Sequence, residues 1–159
     1  MRVDMNQAAL SLLLTRSSCG LLQAPAPSGE VLEHILQAGL RAPDHGHLQP
    51  FQFLLASGEG LTRLGELLAD SAAQDGAAEE VFERAAQLPL RAPLVITVVA
   101  KVKAHSKVPP FEQHLSAGCA VMAMQMAAVA QGYQGIWRSG WSMSDPHLAD
   151  AEQIGAAGN

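Results

Sequence analysis

From Ser116 to Gly132 the chain runs for 17 residues without one charged side chain, and it is apolar on nearly every helical face. A helix of that kind lies inside a protein and not on its surface. At 1.5 Å per residue it spans about 25 Å, short of the roughly 30 Å hydrocarbon core of a bilayer. Gln125 and the many alanines also make a poor lipid-facing surface. The expectation is a long buried core helix, not a membrane span. Gly135-Ile136-Trp137-Arg138-Ser139-Gly140 follows at once. It lifts an arginine and a serine out of an apolar segment, which suits an anionic cofactor held against a dry wall.

The rest of the composition fits a protein with a large core. Apolar residues make up 48% of the 159 and charged residues 16%, against a usual share of about 25% charged. A shortage of solvated surface points to a subunit interface, so an oligomer is expected. The net charge of -5 argues against nucleic acid or an anionic membrane as partner. Cys19 and Cys119 lie far apart and form no CxxC pair. That fits a reducing cytoplasm and argues against a disulfide scaffold or a structural zinc site. Leu12-Leu13-Leu14 is too short for the apolar region of a signal peptide, and no cationic stretch stands before it.

Strands and helices alternate along the chain. Residues 6–15 carry Leu10, Leu13 and Leu14 on one helical face. Pro25-Ala26-Pro27 is an extended link, and Ser28 with Glu30 opens a helix striped by Val31, Leu32, Ile35, Leu36 and Leu40. Pro43 ends it near Ala42. A polar loop bounded by Pro43 and Pro50 leads into a strand over 51–56. Leu61, Leu64, Leu67 and Leu68 suit one packed helix, and Val81, Phe82 and Ala85 another. Leu94 to Ala100 is β-branched and apolar on both faces, the mark of a central strand. A short strand around Ile136 and a final helix opened by Asp145 and Pro146 are predicted after the apolar helix. The whole reads as one α+β domain over 1–159, a small sheet covered by helices. Gly155-Ala156-Ala157-Gly158-Asn159 reads as a loop leading onward.

Several polar residues stand where they could carry chemistry. Arg16-Ser17-Ser18 places a cation and two hydroxyls after a helix, a set able to grip a phosphate through charge-assisted hydrogen bonds. The alternative is an arginine answering the helix dipole. Arg41 and His45 flank the proline-bounded loop, either at a ligand or in solvent. His45 and His47 form an HxH pair that could bind a metal, but no third ligand stands at useful spacing. Gln49 could hydrogen-bond a planar amide-rich ring or serve only as a turn residue. There is no GxSxG, HExxH, GxGxxG or Walker loop. An enzyme built this way borrows its reactive centre from a cofactor.

Taken together, Arg16-Ser17-Ser18, Arg41-Ala42-Pro43-Asp44-His45, Leu48-Gln49-Pro50-Phe51, Arg91-Ala92-Pro93-Leu94-Val95-Ile96 and the block from Ser116 to Gly140 resemble the flavin-dependent nitroreductase family, in order and over most of the chain. The resemblance implies a nitroreductase-like α+β sandwich with a small, mainly antiparallel sheet. It implies an FMN-binding homodimer with its sites at the subunit interface, and ping-pong electron transfer from NADPH or NADH to a small acceptor such as a nitroaromatic, a quinone or an unsaturated compound. By the same resemblance Arg16, Ser17 and Ser18 hold the flavin phosphate and ribityl chain. Arg41 and His45 reach the flavin bound by the other subunit. Trp137, Arg138 and Ser139 line the cofactor, and Gln49 faces the ring. No protein residue is assigned as general acid or base.

Two departures stand out. Family members often carry two successive arginines where this chain has Arg16-Ser17, and the loss of one such hydrogen bond costs about 1.5–3 kcal/mol, roughly tenfold to 150-fold in affinity. Relatives also continue with an apolar strand and a tail that wraps the partner; a chain ending at Asn159 would leave an open sheet edge. The second reading is therefore an FMN-binding or storage protein without physiological turnover.

Overall fold

The computed structural model describes residues 6–74, 76 and 78–140. Helix α1 (Gln7–Thr15) begins where the Asn6 side chain accepts a hydrogen bond from the Ala9 N–H at 3.1 Å. Helix α2 (Gly29–Leu40) starts after Ser28, which occupies the capping position but makes no side-chain bond there. A 3₁₀ turn (His45–His47) precedes strand β1 (Phe51–Ser57). Helices α3 (Glu59–Gln74) and α4 (Glu79–Gln87) follow, then strand β2 (Leu94–Ala100) and helix α5 (Pro110–Ala130).

β1 and β2 pair antiparallel, with Phe51 opposite Ala100 and Ser57 opposite Leu94. The alternation of a strand sends Leu54 and Ala56 to one face, where they are buried with Leu61 and Leu64 of α3 and covered by Leu67 and Leu68. Phe53 points to the other face. There it meets α2 and α5 at Gly39: a Cβ on that glycine would sit 2.8 Å from the Phe53 ring and 2.9 Å from the Met124 side chain. The sheet is therefore sandwiched between α3 with α4 on one side and α2 with α5 on the other.

Three expectations change on contact with the structure. The segment around Ile136 has no regular secondary structure and joins no ladder among the described residues; a backbone bond runs from the Cys19 N–H to the Gly135 carbonyl, 3.1 Å. β2 has β1 as its neighbour on one edge only among the described residues, and all seven of its residues are half-buried. α5 is as long as expected, but its burial in the single chain is one-sided. Gln113, Ser116, Ala117, Ala120 and Met124 are buried, while Phe111, Leu115, Cys119 and Met122 lie open. Leu13 and Leu14 of α1 are exposed as well, at 61% and 74%. The final helix predicted from Asp145 and the loop at Gly155–Asn159 lie outside the described residues. No helix among the described residues is long and apolar enough to cross a membrane.

The α3–α4 contact depends on another bare Cα. A Cβ on Gly65 would run into the carbonyl oxygen of Ala86. Backbone cannot swing aside as a flexible side chain can. Gly65→Ala is expected to cost about 1–3 kcal/mol of stability, measured by urea denaturation. An unchanged midpoint would show that the two helices have room to part.

Candidate functional site

Two clusters of the expected residues form at separate places. The first gathers around the segment that follows α1. Arg16 closes the helix, its N–H bonded to the Leu12 carbonyl at 3.2 Å, and its Nη1 donates to Ser18 Oγ at 3.3 Å. Past Ser18 the chain is stitched on two sides. The Cys19 N–H donates to Gly135, and the Leu22 N–H donates to the Arg91 carbonyl at 3.1 Å. These bonds bring the segment just past Ser18 against Gly135, more than a hundred positions away in sequence, and against Arg91.

Gly20 sits at the centre of this cluster. Arg91 Nη2 donates to its carbonyl at 3.0 Å. Arg91 Nη2 and Arg138 Nη2 each lie 3.9 Å from where a Gly20 Cβ would be. Like charges this close, within about 8 Å of each other, repel by roughly 0.5–2 kcal/mol depending on the local dielectric. No ion pair among the described residues offsets the charges of Arg16, Arg91 or Arg138. Two guanidinium groups at Gly20, free of ion pairs among the described residues, a few positions along the chain from Arg16 and Ser18, make a donor set for an oxyanion such as a phosphate. Arg91 belongs to one of the segments that carry the resemblance, but no ligand role could be read for it from the sequence, since Arg91-Ala92-Pro93 reads as a helix stop.

Trp137 joins this cluster to the long helix. Its ring edge lies 3.2 Å from the Cβ position of Gly118 on α5, so the glycine gives the indole its seat. The ring remains half exposed, a flat apolar surface beside the cations. Ser139 is exposed in the same stretch.

The second cluster is the loop between α2 and β1. Arg41 caps α2 and is exposed. Beyond it His47 and Gln49 both take left-handed backbone angles, φ 52 and 46, in addition to Gly46 at φ 78. Non-glycine residues in that region cost on the order of 1 kcal/mol each. The surroundings hold them there. Asp44 Oδ2 accepts the Gln49 N–H at 2.6 Å, and Lys103 Nζ donates to the Leu48 carbonyl. His45 Nδ1 lies 2.6 Å from Glu112 Oε2 in the first turn of α5. His45, not His47, thus has a carboxylate partner, and Glu112 is a site residue that sequence reasoning missed. Arg41, His45 and Gln49 make no hydrogen bond or ion pair with the first cluster among the described residues.

Comparison with known proteins gives a consistent result. The profile described as "Nitroreductase family" matches residues 13–155. The protein designated "Putative NAD(P)H nitroreductase YdjA" of Escherichia coli (strain K12) is 52% identical over 143 residues, covering 90% of this chain and 78% of its own length. A protein of Haemophilus influenzae designated in the same way, without the YdjA name, is 46% identical over 144 residues, with the same shares. Among solved structures, a nitroreductase-like family protein from Bacillus cereus superposes with a TM-score of 0.74 at 21% identity, covering 97% of this chain and 80% of that one. A nitroreductase with bound FMN from Bacteroides fragilis NCTC 9343 reaches 0.70 at 20% identity, covering 98% and 81%. At such identities the last two speak for the fold.

The bare Cα of Gly20 gives the first cluster a direct test. Gly20→Val puts two methyl groups where both guanidinium groups approach. It is expected to weaken binding of a phosphate-bearing ligand by about tenfold relative to the same ligand without its phosphate, by isothermal titration. Equal losses for both ligands would count against an anion site here.

Proposed function

The chain belongs to the nitroreductase family, and from that premise we propose that it is an FMN-dependent oxidoreductase that works as a homodimer in the cytoplasm. The observation that carries the reading is the approach of Arg91 and Arg138 to Gly20, four residues after Arg16, with neither arginine in an ion pair among the described residues and Trp137 next to Arg138 in the chain. Arg16, Ser17 and Ser18 hold the phosphate end of FMN. Trp137, Arg138 and Ser139 line the cofactor, and Arg41, His45 and Gln49 approach the flavin of the partner subunit. When bound, FMN supplies the two-electron chemistry, accepting hydride from NADH or NADPH and passing electrons in a ping-pong cycle to a small acceptor such as a nitroaromatic, a quinone or an unsaturated compound.

The protein's own part is to bind, orient and exclude water. A cation at the cofactor's electron-rich end favours the anionic reduced form by electrostatics, because it is in place before the charge develops. With Arg16 at the phosphate, Arg138 is the candidate. The dimer draws support from the apolar side chains left open on α1 and α5, where Leu14, Leu115 and Phe111 are 74%, 53% and 70% exposed. It also explains why the two clusters lie apart in one chain: each would serve a site completed by the other copy.

The visible spectrum of the purified protein tests the reading. A yellow protein is expected, bleaching with NADH or NADPH without oxygen and recovering on addition of an oxidised acceptor. Yellow without bleaching by either nucleotide would favour the storage reading, in which Ser17 in place of a second arginine leaves a holder of flavin. Arg16→Ala is expected to shed FMN on dilution, with affinity down about tenfold to 150-fold; full flavin retention would remove Arg16 from the phosphate site. Mixing Arg16→Ala with His45→Ala subunits is expected to restore part of the activity, since each mixed dimer keeps one site with both residues intact. Strictly additive loss would mean that sites are not shared.

A further inference from the structure

The His45–Glu112 pair joins residues 67 positions apart at a nitrogen-to-oxygen distance of 2.6 Å. An ionised carboxylate can only accept hydrogen bonds, so the proton between them belongs to His45 Nδ1. In the neutral ring this leaves Nε2 as an acceptor; in the protonated ring Nε2 becomes a donor. Nε2 has no hydrogen-bond partner among the described residues. Glu112 therefore selects one tautomer and leaves one defined edge of the ring open.

The pair itself is open to solvent, with the two side chains 59% and 44% exposed, but the segments that carry it are tied down. Glu112 is followed by Gln113, which is 1% exposed. Gln113 Oε1 accepts the Lys103 N–H at 2.8 Å, and its Nε2 donates to the Lys103 and Val108 carbonyls at 2.8 and 3.3 Å. Lys103 in turn donates to the Leu48 carbonyl. Two consecutive residues of α5 thus grip both ends of the loop, one through His45 and one through Lys103. The left-handed His47 lies between those grips, at His45 and Leu48, and the left-handed Gln49 directly follows the second. Strain retained in this way belongs to a loop whose side-chain placement matters.

We propose that Glu112 is a positioning residue, which sets His45 in the Nδ1–H tautomer so that Nε2 is the edge offered to the ligand. The inference rests on the reading above, in which His45 faces the flavin of the partner subunit. Glu112 itself touches no cofactor.

The test joins a spectroscopic readout to a binding one. Long-range proton–nitrogen correlation spectra of the FMN-saturated protein are expected to show His45 in the Nδ1–H form. Glu112→Ala is expected to lose that preference. Glu112→Gln, whose amide can accept from or donate to the ring, is expected to show both tautomers. Titration with FMN is expected to give a loss of about tenfold for Glu112→Ala and for His45→Ala, and no greater loss for the double variant, since both remove one unit. A wild-type tautomer in Glu112→Ala overturns the proposal, as do losses that multiply in the double variant. Should His45→Ala bind FMN as tightly as the wild type, the flavin-facing reading of this loop fails and the proposal with it. Should His45→Ala lose flavin while Glu112→Ala keeps both its tautomer and its affinity, the positioning role alone fails.

Discussion

At Gly39 there is no room for a methyl group. The Phe53 ring from β1 and the Met124 side chain from α5 both close on that bare Cα of α2. The contact sets how near the two helices lie to each other and to the sheet. The far ends are then pinned by polar bonds: Gln131, just past α5, reaches the Val31 carbonyl at 3.4 Å and the His34 ring at 3.1 Å. With α2 and α5 locked in this way, the loop that leaves α2 at Arg41 arrives at the first turn of α5, where Glu112 and Gln113 wait for it. Interiors packed at this density do not deform smoothly, so the place of His45 follows from a glycine six residues earlier.

The buried amide of Gln113 carries the same logic into the polar layer. Its oxygen and its nitrogen are both used, so its burial leaves no orphan group among its partners. One side chain holds the turn from Lys103 to Val108 and, through Lys103, steadies Leu48. The oxyanion cluster is organised differently. There the backbone is held by bonds from neighbouring segments, and the Arg91 and Arg138 guanidinium groups approach Gly20 with no ion pair among the described residues. One region is closed and satisfied; the other is open and charged, which is what a ligand-binding site needs.

Much of this was legible from residue pattern. The leucine stripes placed α2 and α3, the prolines bounded the loop, and the apolar run marked α5 to within a turn or two. Arg16, Arg138 and His45 stood out because each is a polar group set against an apolar or proline-bounded context. What escaped was whatever depends on contacts between distant segments. Glu112 and Gln113 look like the ordinary polar opening of a helix, and nothing local says that one meets a histidine and the other is almost wholly buried. Arg91 looks like a helix stop. The segment at Ile136 has strand-like residues, yet it joins no ladder among the described residues. The apolar character of α5 was plain, but a pattern cannot distinguish a face covered by its own chain from one left open on it.

Helix α5 touches both clusters. Glu112 in its first turn holds the histidine loop, and Gly118 six residues on seats Trp137. At 1.5 Å per residue these points are about 9 Å apart along the axis, and each residue turns the helix by about 100°. The helix therefore acts as a ruler. Many single substitutions along its open side would leave the two attachment points in phase. An insertion or deletion of one residue between them would not, because it would swing Trp137's seat roughly a quarter turn away from the histidine loop while leaving composition and hydropathy almost unchanged. In this stretch of the chain, length is constrained more tightly than identity.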